Sequence, residues 1–287
     1  MVFMGALDAF SKAFSLVAEN RGAYLLVLVV FLALAILNSA LFPGIRGGAV
    51  PREEILPDVV FEKHGMTHES TDELVRYVEI RLLWILIVAI VLAFVEYSIV
   101  RTYFLSLDGK EYSISELIAE ALPKIPVMII VNVLAYLTGI LVALVPALVM
   151  IVGGLTLNPF LAFFGLVLVL LVIPILITYY PLVVTTYVDT GNLGAFIEAL
   201  GLVFRRLPSS LGYGLLTILL AFGVSIVMAP LVLPFTLSSE PSVLVISLLE
   251  APFEAFFVCF LLAGGVLLYK EFKGIEEIEE RTEEPVY

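Results

Sequence analysis

Polar residues interrupt this chain in blocks rather than alternating with apolar ones. Six apolar stretches stand out: Ala23 to Phe42, Leu82 to Val100, Ile125 to Ile151, Phe160 to Val188, Leu211 to Leu237 and Val243 to Tyr269. Together they contain three acidic residues and no Lys, Arg or His. About twenty apolar residues in a helix cross a hydrocarbon core of roughly 30 Å, so each stretch is predicted to span a membrane. Ahead of the first, third and fifth stretches the pattern becomes amphipathic. Residues 4 to 19 put Leu7, Phe10, Phe14 and Val17 on one side of a helix and Asp8, Ser11, Lys12, Ser15 and Glu19 on the other. Residues 113 to 122 open with Ser113 and Glu116 at capping-box spacing and gather Ile114, Leu117, Ile118 and Ala121 on one face. Residues 192 to 207 do the same ahead of the basic turn at Arg205 and Arg206. The predicted fold is all-α: a polytopic membrane protein with six transmembrane helices, arranged as three hairpins each preceded by a cytoplasmic interfacial helix.

Residues 43 to 81 form the one long polar connection. Pro43, Gly44, Gly47, Gly48, Pro51 and Pro57 punctuate its first half. In its second half Ser70 and Glu73 have capping-box spacing, so the second crossing is expected to begin as helix outside the lipid. Trp84 falls where an interfacial aromatic belongs. The breaks after the third and fifth crossings, 153 to 158 and 238 to 242, hold no basic residue. Lys12, Arg21, Arg101, Lys110, Lys124, Arg205, Arg206, Lys270, Lys273 and Arg281 all lie on the other side. The positive-inside rule therefore places both termini and the three surface helices in the cytoplasm, with the cell membrane as the expected location. The first crossing is read as a retained span, since an amphipathic helix and not a basic n-region precedes it.

The hairpins look like copies of one unit. Ala9-Phe10-Ser11-Lys12-Ala13-Phe14 aligns with Ala195-Phe196-Ile197-Glu198-Ala199-Leu200, and Glu116 to Leu122 fits the same frame. Tyr103, Tyr187 and Tyr269 close the three units, 84 and 82 residues apart, and each is followed by an acidic residue and a glycine. This predicts parallel repeats over 4–103, 113–187 and 192–269 within one domain, 1–272, about an axis along the membrane normal. Seven positions before Tyr103 and Tyr187 stand Glu96 and Tyr180. Residues 273–287 form an acidic cytoplasmic tail.

The order of surface helix, hairpin and surface helix, with a last crossing ending Val266-Leu267-Leu268-Tyr269-Lys270-Glu271-Phe272-Lys273, resembles six-helix membrane-domain families of unknown function. Among them are the membrane domain fused to some glycerophosphodiester phosphodiesterases and related archaeal stand-alone proteins. The resemblance implies the six-helix fold and transfers no catalytic residue, and this chain carries no phosphodiesterase domain.

Composition narrows the function classes. With 61% hydrophobic and 15% charged residues and a mean hydropathy of +1.11, the chain is not an ordinary soluble domain. A net charge of −12, crowded into Glu276, Glu277, Glu279, Glu280, Glu283 and Glu284, disfavours nucleic acid as a partner. The single Cys259 sits in an apolar run and reads as a small buried hydrophobe. The absence of Gln together with Glu-rich polar segments points to a thermophilic source. No His-Glu-x-x-His, Gly-x-Ser-x-Gly or phosphate loop is present, so nothing points to an enzyme or calls for a cofactor.

Ionisable groups inside a membrane are functional suspects because burying them costs at least about 2.5 kcal/mol. Glu250 and Glu254 are i,i+4 on the last crossing with Pro252 between them, and Glu96 lies toward the cytoplasmic end of the second. Hydrogen-bonding groups available to them within the lipid are Asn132, Tyr136, Thr178 and Tyr179. Water-facing carboxylates near a proline break suit cation or proton binding, or a polar cavity for a lipid headgroup. His64 and His68, four apart among acids, are a weaker metal candidate because Gly65 argues against a helix there. The expected role is transport or membrane-lipid handling through a polar cavity between hairpins, with Glu250, Glu254, Glu96 and Asn132 as binding residues and membrane lipids, a small solute or a cation as partners. The competing expectation is a structural or partner-binding membrane scaffold.

Overall fold

The computed structural model describes residues 2–41, 68–110, 112–236 and 243–283. The described residues are almost wholly helical: α1 (Val2–Glu19), α2 (Arg21–Leu41), α3 (His68–Leu107), α4 (Ile114–Ala121), α5 (Ile125–Leu155), α6 (Pro159–Thr190), α7 (Ala195–Arg205), α8 (Leu207–Thr236) and α9 (Val243–Glu283). A single 3-10 turn, Leu122–Lys124, carries α4 directly into α5. Six of these helices, α2, α3, α5, α6, α8 and α9, are long and apolar enough to cross a membrane. His64, the first part of the expected outer loop and the last four residues lie outside the described residues. So do the side chains of His68, Ser70 and Glu73.

Local sequence sets the helix ends. Ser113 accepts from the Glu116 amide at 3.2 Å while the Glu116 carboxylate accepts from the Ser113 amide at 3.2 Å, which is the capping box expected at α4. Asn158 accepts from the Leu161 amide and Pro159 occupies the first turn, which starts α6. Gly191 ends α6 at φ 66°, a left-handed cap that a side chain would strain. The break expected at Gly153 is shorter than its residues suggest. α5 runs on to Leu155, because Gly153 is needed inside the helix, where its bare Cα lets the backbone of Ala162 approach. At Gly165 the same device admits Met150, and farther along Gly139 meets Leu176, so α5 and α6 pack antiparallel from the turn inward.

Helices α3, α6 and α9 each touch the other two, and the remaining long helices fill the outer gaps. α2 lies between α9 and α3, α5 between α3 and α6, and α8 between α6 and α9. The short helices sit against the inner three: α1 on α9 and α8, α4 on α3, and α7 on α6. α9 is the most enclosed, with 56% of its central window buried against 22% or less in the other five. Tyr103, Tyr187 and Tyr269 are all buried. The Tyr103 hydroxyl donates to the Cys259 carbonyl at 3.2 Å and that of Tyr269 to Asp189 at 2.7 Å. Beyond the lipid-facing surface, Lys270 Nζ donates to Asp108 Oδ1 at 2.8 Å and holds that carboxyl below its ordinary pKa of 3.8.

The first short helix packs on the bundle chiefly through alanines. Ala6, Ala9 and Ala13 are buried, whereas Leu7 and Phe14 are 52% and 39% exposed. As α1 advances from Gly5 to Phe14, its partners on α9 retreat from Glu271 to Phe256. Three alanines on one stripe let two helix backbones come close, which larger residues would prevent. Phe10 then meets Phe260 edge-to-face and Phe14 meets it at a tilt, with ring centroids 5.1 and 4.7 Å apart.

A close crossing joins α6 to α8. Ser210 and Gly214, four apart, present a bare strip to Pro174 and Thr178, and Thr178 Oγ1 donates to the Ser210 carbonyl at 2.8 Å. A Cβ at Gly214 would overlap the Pro174 carbonyl. At Gly265 on α9 the neighbour is Pro181. Neither proline interrupts α6, which continues through both. Gly214→Ala is expected to lower stability by about 1–3 kcal/mol through overpacking against backbone that cannot yield. Gly139→Ala, whose Cβ would lie 3.6 Å from a Leu176 methyl, is expected to leave stability nearly unchanged. Equilibrium unfolding of both variants in detergent checks the contrast.

Candidate functional site

Glu96 lies where α3 enters the bundle. On its N-terminal side Leu82, Leu83, Ile85 and Leu86 are exposed, while every residue from Val95 to Val100 is buried. Glu96 itself is 6% exposed. Two neighbouring helices supply donors. Asn132 on α5 gives its amide N–H to Oε2 at 2.7 Å, and Tyr180 on α6 gives its hydroxyl to Oε1 at 2.5 Å. Both carboxyl oxygens are thus acceptors, each filled by a different helix. Tyr136, one turn along α5 from Asn132, sets its ring 5.2 Å from that of Tyr180. The Asn132 carbonyl oxygen is buried without a hydrogen-bond partner.

This cluster closes one end of a cavity of about 280 Å³ between α3 and α5. Its walls are Trp84, Ile85, Val88, Ala89 and Leu92 from α3 and Ile129 and Val133 from α5, with Glu96, Asn132, Tyr136 and Tyr180 as the polar members. Trp84 and Glu96 are twelve residues apart on one helix, so the cavity extends for about 18 Å along α3. Ile85, Val133 and Tyr136 on its flank are 61%, 51% and 59% exposed, so it opens sideways onto the apolar surface. At about 30 Å³ per water-sized group, the volume accepts about nine such groups, enough for a segment of one alkyl chain. A second cleft, of about 420 Å³, lies between α1 and α9 and is lined by Gly5, Asp8, Ala9, Lys12, Leu267 and Glu271. Its lysine is paired with Asp8 at 2.6 Å.

Of the residues singled out on sequence, Glu96 and Asn132 come together and the Glu250/Glu254 pair stands apart from them. Glu250 is half-buried and Glu254 exposed on α9, and neither lines the cavity. Pro252 between them accepts a hydrogen bond at its carbonyl from the Tyr24 hydroxyl at 3.3 Å. Thr178 and Tyr179 are engaged elsewhere, Thr178 with the Pro174 and Ser210 carbonyls and Tyr179 with the Phe196 carbonyl. The His64/His68 metal candidate falls outside the described side chains, and among the described residues no cluster of three metal-ligating side chains is present. Tyr180 was not among the expected binding residues. The signal for it was its place seven residues before Tyr187, the same offset as that of Glu96 before Tyr103.

Comparison of the chain with protein-family models, with curated proteins and with solved structures finds no match. The geometry alone carries the functional reading.

Removing either donor leaves a buried carboxyl oxygen without a partner. Tyr180→Phe and Asn132→Leu are each expected to destabilise the protein by about 0.5–2 kcal/mol, the range of interhelical hydrogen bonds in membranes. In a double-mutant cycle with Glu96→Leu, the second substitution should then cost less than it does alone. Unfolding titrations of the four proteins in each cycle measure the coupling, and strict additivity would refute it.

Proposed function

We propose that this protein is a multi-pass membrane protein that handles membrane lipid, holding an apolar chain in the groove between α3 and α5 with its polar end at Glu96, Asn132 and Tyr180. The observation that carries the reading is the cavity itself: a long apolar trough, open toward the lipid face, that ends on a buried carboxyl rather than on more hydrocarbon. An apolar channel lined throughout by Leu and Val would be filled by any acyl chain without selection. A buried hydrogen-bonding terminus selects, because a ligand that fails to pair with it leaves desolvated groups unsatisfied.

The proposal includes the arrangement around the groove. Three hairpin units, 4–103, 113–187 and 192–269, are set about an axis along the membrane normal, with the inner helix of each unit at the centre and both termini cytoplasmic in the cell membrane. The mutual contact of α3, α6 and α9 and the placement of one short helix against each of them support this. The burial of Tyr103, Tyr187 and Tyr269 at matching positions supports it as well. Cys259 is fully buried, so introduced cysteines can report topology. Lys110→Cys is expected to react with an impermeant maleimide only in opened cells, and Thr156→Cys in intact ones.

The groove is tested by filling it. Native mass spectrometry of the protein released from membranes is expected to show a single-chain lipid adduct, lost in Ala89→Trp and Leu92→Trp variants that retain the wild-type melting temperature. An adduct of undiminished intensity in both variants would move the lipid elsewhere. No adduct on any protein would favour the scaffold role.

A further inference from the structure

We infer that the polar end of the ligand is a cation, and that the groove takes a single-chain lipophilic amine in preference to a neutral or anionic lipid of the same length. The inference rests on the groove reading above and adds the chemistry of the head. At the closed end the strongest donors are already committed, the Tyr180 hydroxyl to Glu96 Oε1 and an Asn132 N–H to Glu96 Oε2. What remains is chiefly acceptor capacity: the outer lone pairs of the carboxylate and the Asn132 carbonyl oxygen, which is buried and unpartnered. A ligand that completes the site must therefore donate.

Charge decides between the donors. Among the described residues no Lys, Arg or His lines the cavity, so the Glu96 carboxyl has no countercharge there until a ligand brings one. An ammonium supplies one and offers three donors, against one donor and no charge from a hydroxyl. The ring of Tyr136 stands beside the site against Tyr180 and adds an electron-rich face suited to a cation. A phosphate-bearing head, including that of an aminophospholipid, would place a second anion against Glu96 with no cation to hold it. The volume, for about nine water-sized groups, admits one chain and not two.

Trp84 is the only tryptophan of the chain and lines the groove, so intrinsic tryptophan fluorescence reports occupancy directly. Terminally brominated dodecylamine, dodecanol and dodecyl phosphate are titrated into the full-length protein in phosphatidylcholine nanodiscs, with the unbrominated molecule as competitor to isolate the saturable part. Dodecylamine is expected to quench at a concentration about tenfold or more below dodecanol, the difference made by one charge-assisted hydrogen bond. Dodecyl phosphate should give no competed quenching. Glu96→Gln, which keeps the shape but removes the charge and exchanges one acceptor oxygen for an NH2 donor, should erase the preference for amine over alcohol. Equal binding of amine and alcohol by the wild-type protein, or phosphate binding as tight as amine, would overturn the cationic head and leave the groove reading standing. The absence of competed quenching by any of the three would overturn both. The wild-type comparison needs no variant, so poor folding of Glu96→Gln does not remove the test.

Discussion

Lipid tails are as apolar as leucine, so the exposed Leu, Ile, Val and Phe side chains of these helices gain nothing by leaving the membrane for one another. What can hold such helices together is close approach of backbone to backbone, and that requires small residues at the crossings. The structure depends on a few such places. Gly214 admits Pro174, Gly265 admits Pro181, Gly153 and Gly165 seat α5 on α6, and Ala6, Ala9 and Ala13 lay α1 along α9. Large side chains are then free to face outward, as Leu141, Val145, Phe160, Leu219 and Phe222 do. Polar groups reinforce the same contacts: Thr178 reaches across the α6–α8 crossing to Ser210, and Tyr103 ties α3 to α9.

The groove follows from where that close approach stops. α3 is held among its neighbours from Ala93 onward, but its N-terminal part presents the bulky Trp84, Ile85, Val88 and Leu92 around Ala89 on the side of the cavity. The two helices part there, and the space between them is apolar because both faces would otherwise meet lipid. Glu96 occupies the last position before the helices close. Its carboxyl is tolerable there because Asn132 and Tyr180 arrive from two other helices to satisfy both oxygens. Packing and chemistry meet at one residue.

The crossings themselves were legible in number and approximate limits, although α9, expected to end at Tyr269, runs on to Glu283. α6, expected at 160–188, is found at Pro159–Thr190, and α5, expected to end at Ile151, ends at Leu155. Among the caps, Ser113 took its expected capping-box role, whereas the capping of α6 by Asn158 and Gly191 was found only in the structure. The short helix α1 was legible as a helix but not in its contacts. Its hydrophobic pattern marks Leu7, Phe10, Phe14 and Val17 as the apolar side of a surface helix, whereas its close packing on the bundle uses Ala6, Ala9 and Ala13, which carry almost no weight in such a pattern. Among the acidic residues, Glu250 and Glu254 drew attention because they form an i,i+4 pair beside a proline. Spacing along one helix, however, does not show which face that helix turns outward.

That separation has a physical cause. In a membrane every backbone N–H and C=O must be satisfied within the segment, so a run of apolar residues has to be a helix whatever surrounds it. The amino-acid sequence by itself therefore determined the number, type and approximate limits of the long helices. A side-chain hydrogen bond carries no such obligation. The donors that reach Glu96 come from 36 and 84 residues away, and only the packing of α3, α5 and α6 decided that Asn132 and Tyr180 would meet it while Thr178 and Tyr179 would not. The same packing opened the trough at whose end that carboxyl stands.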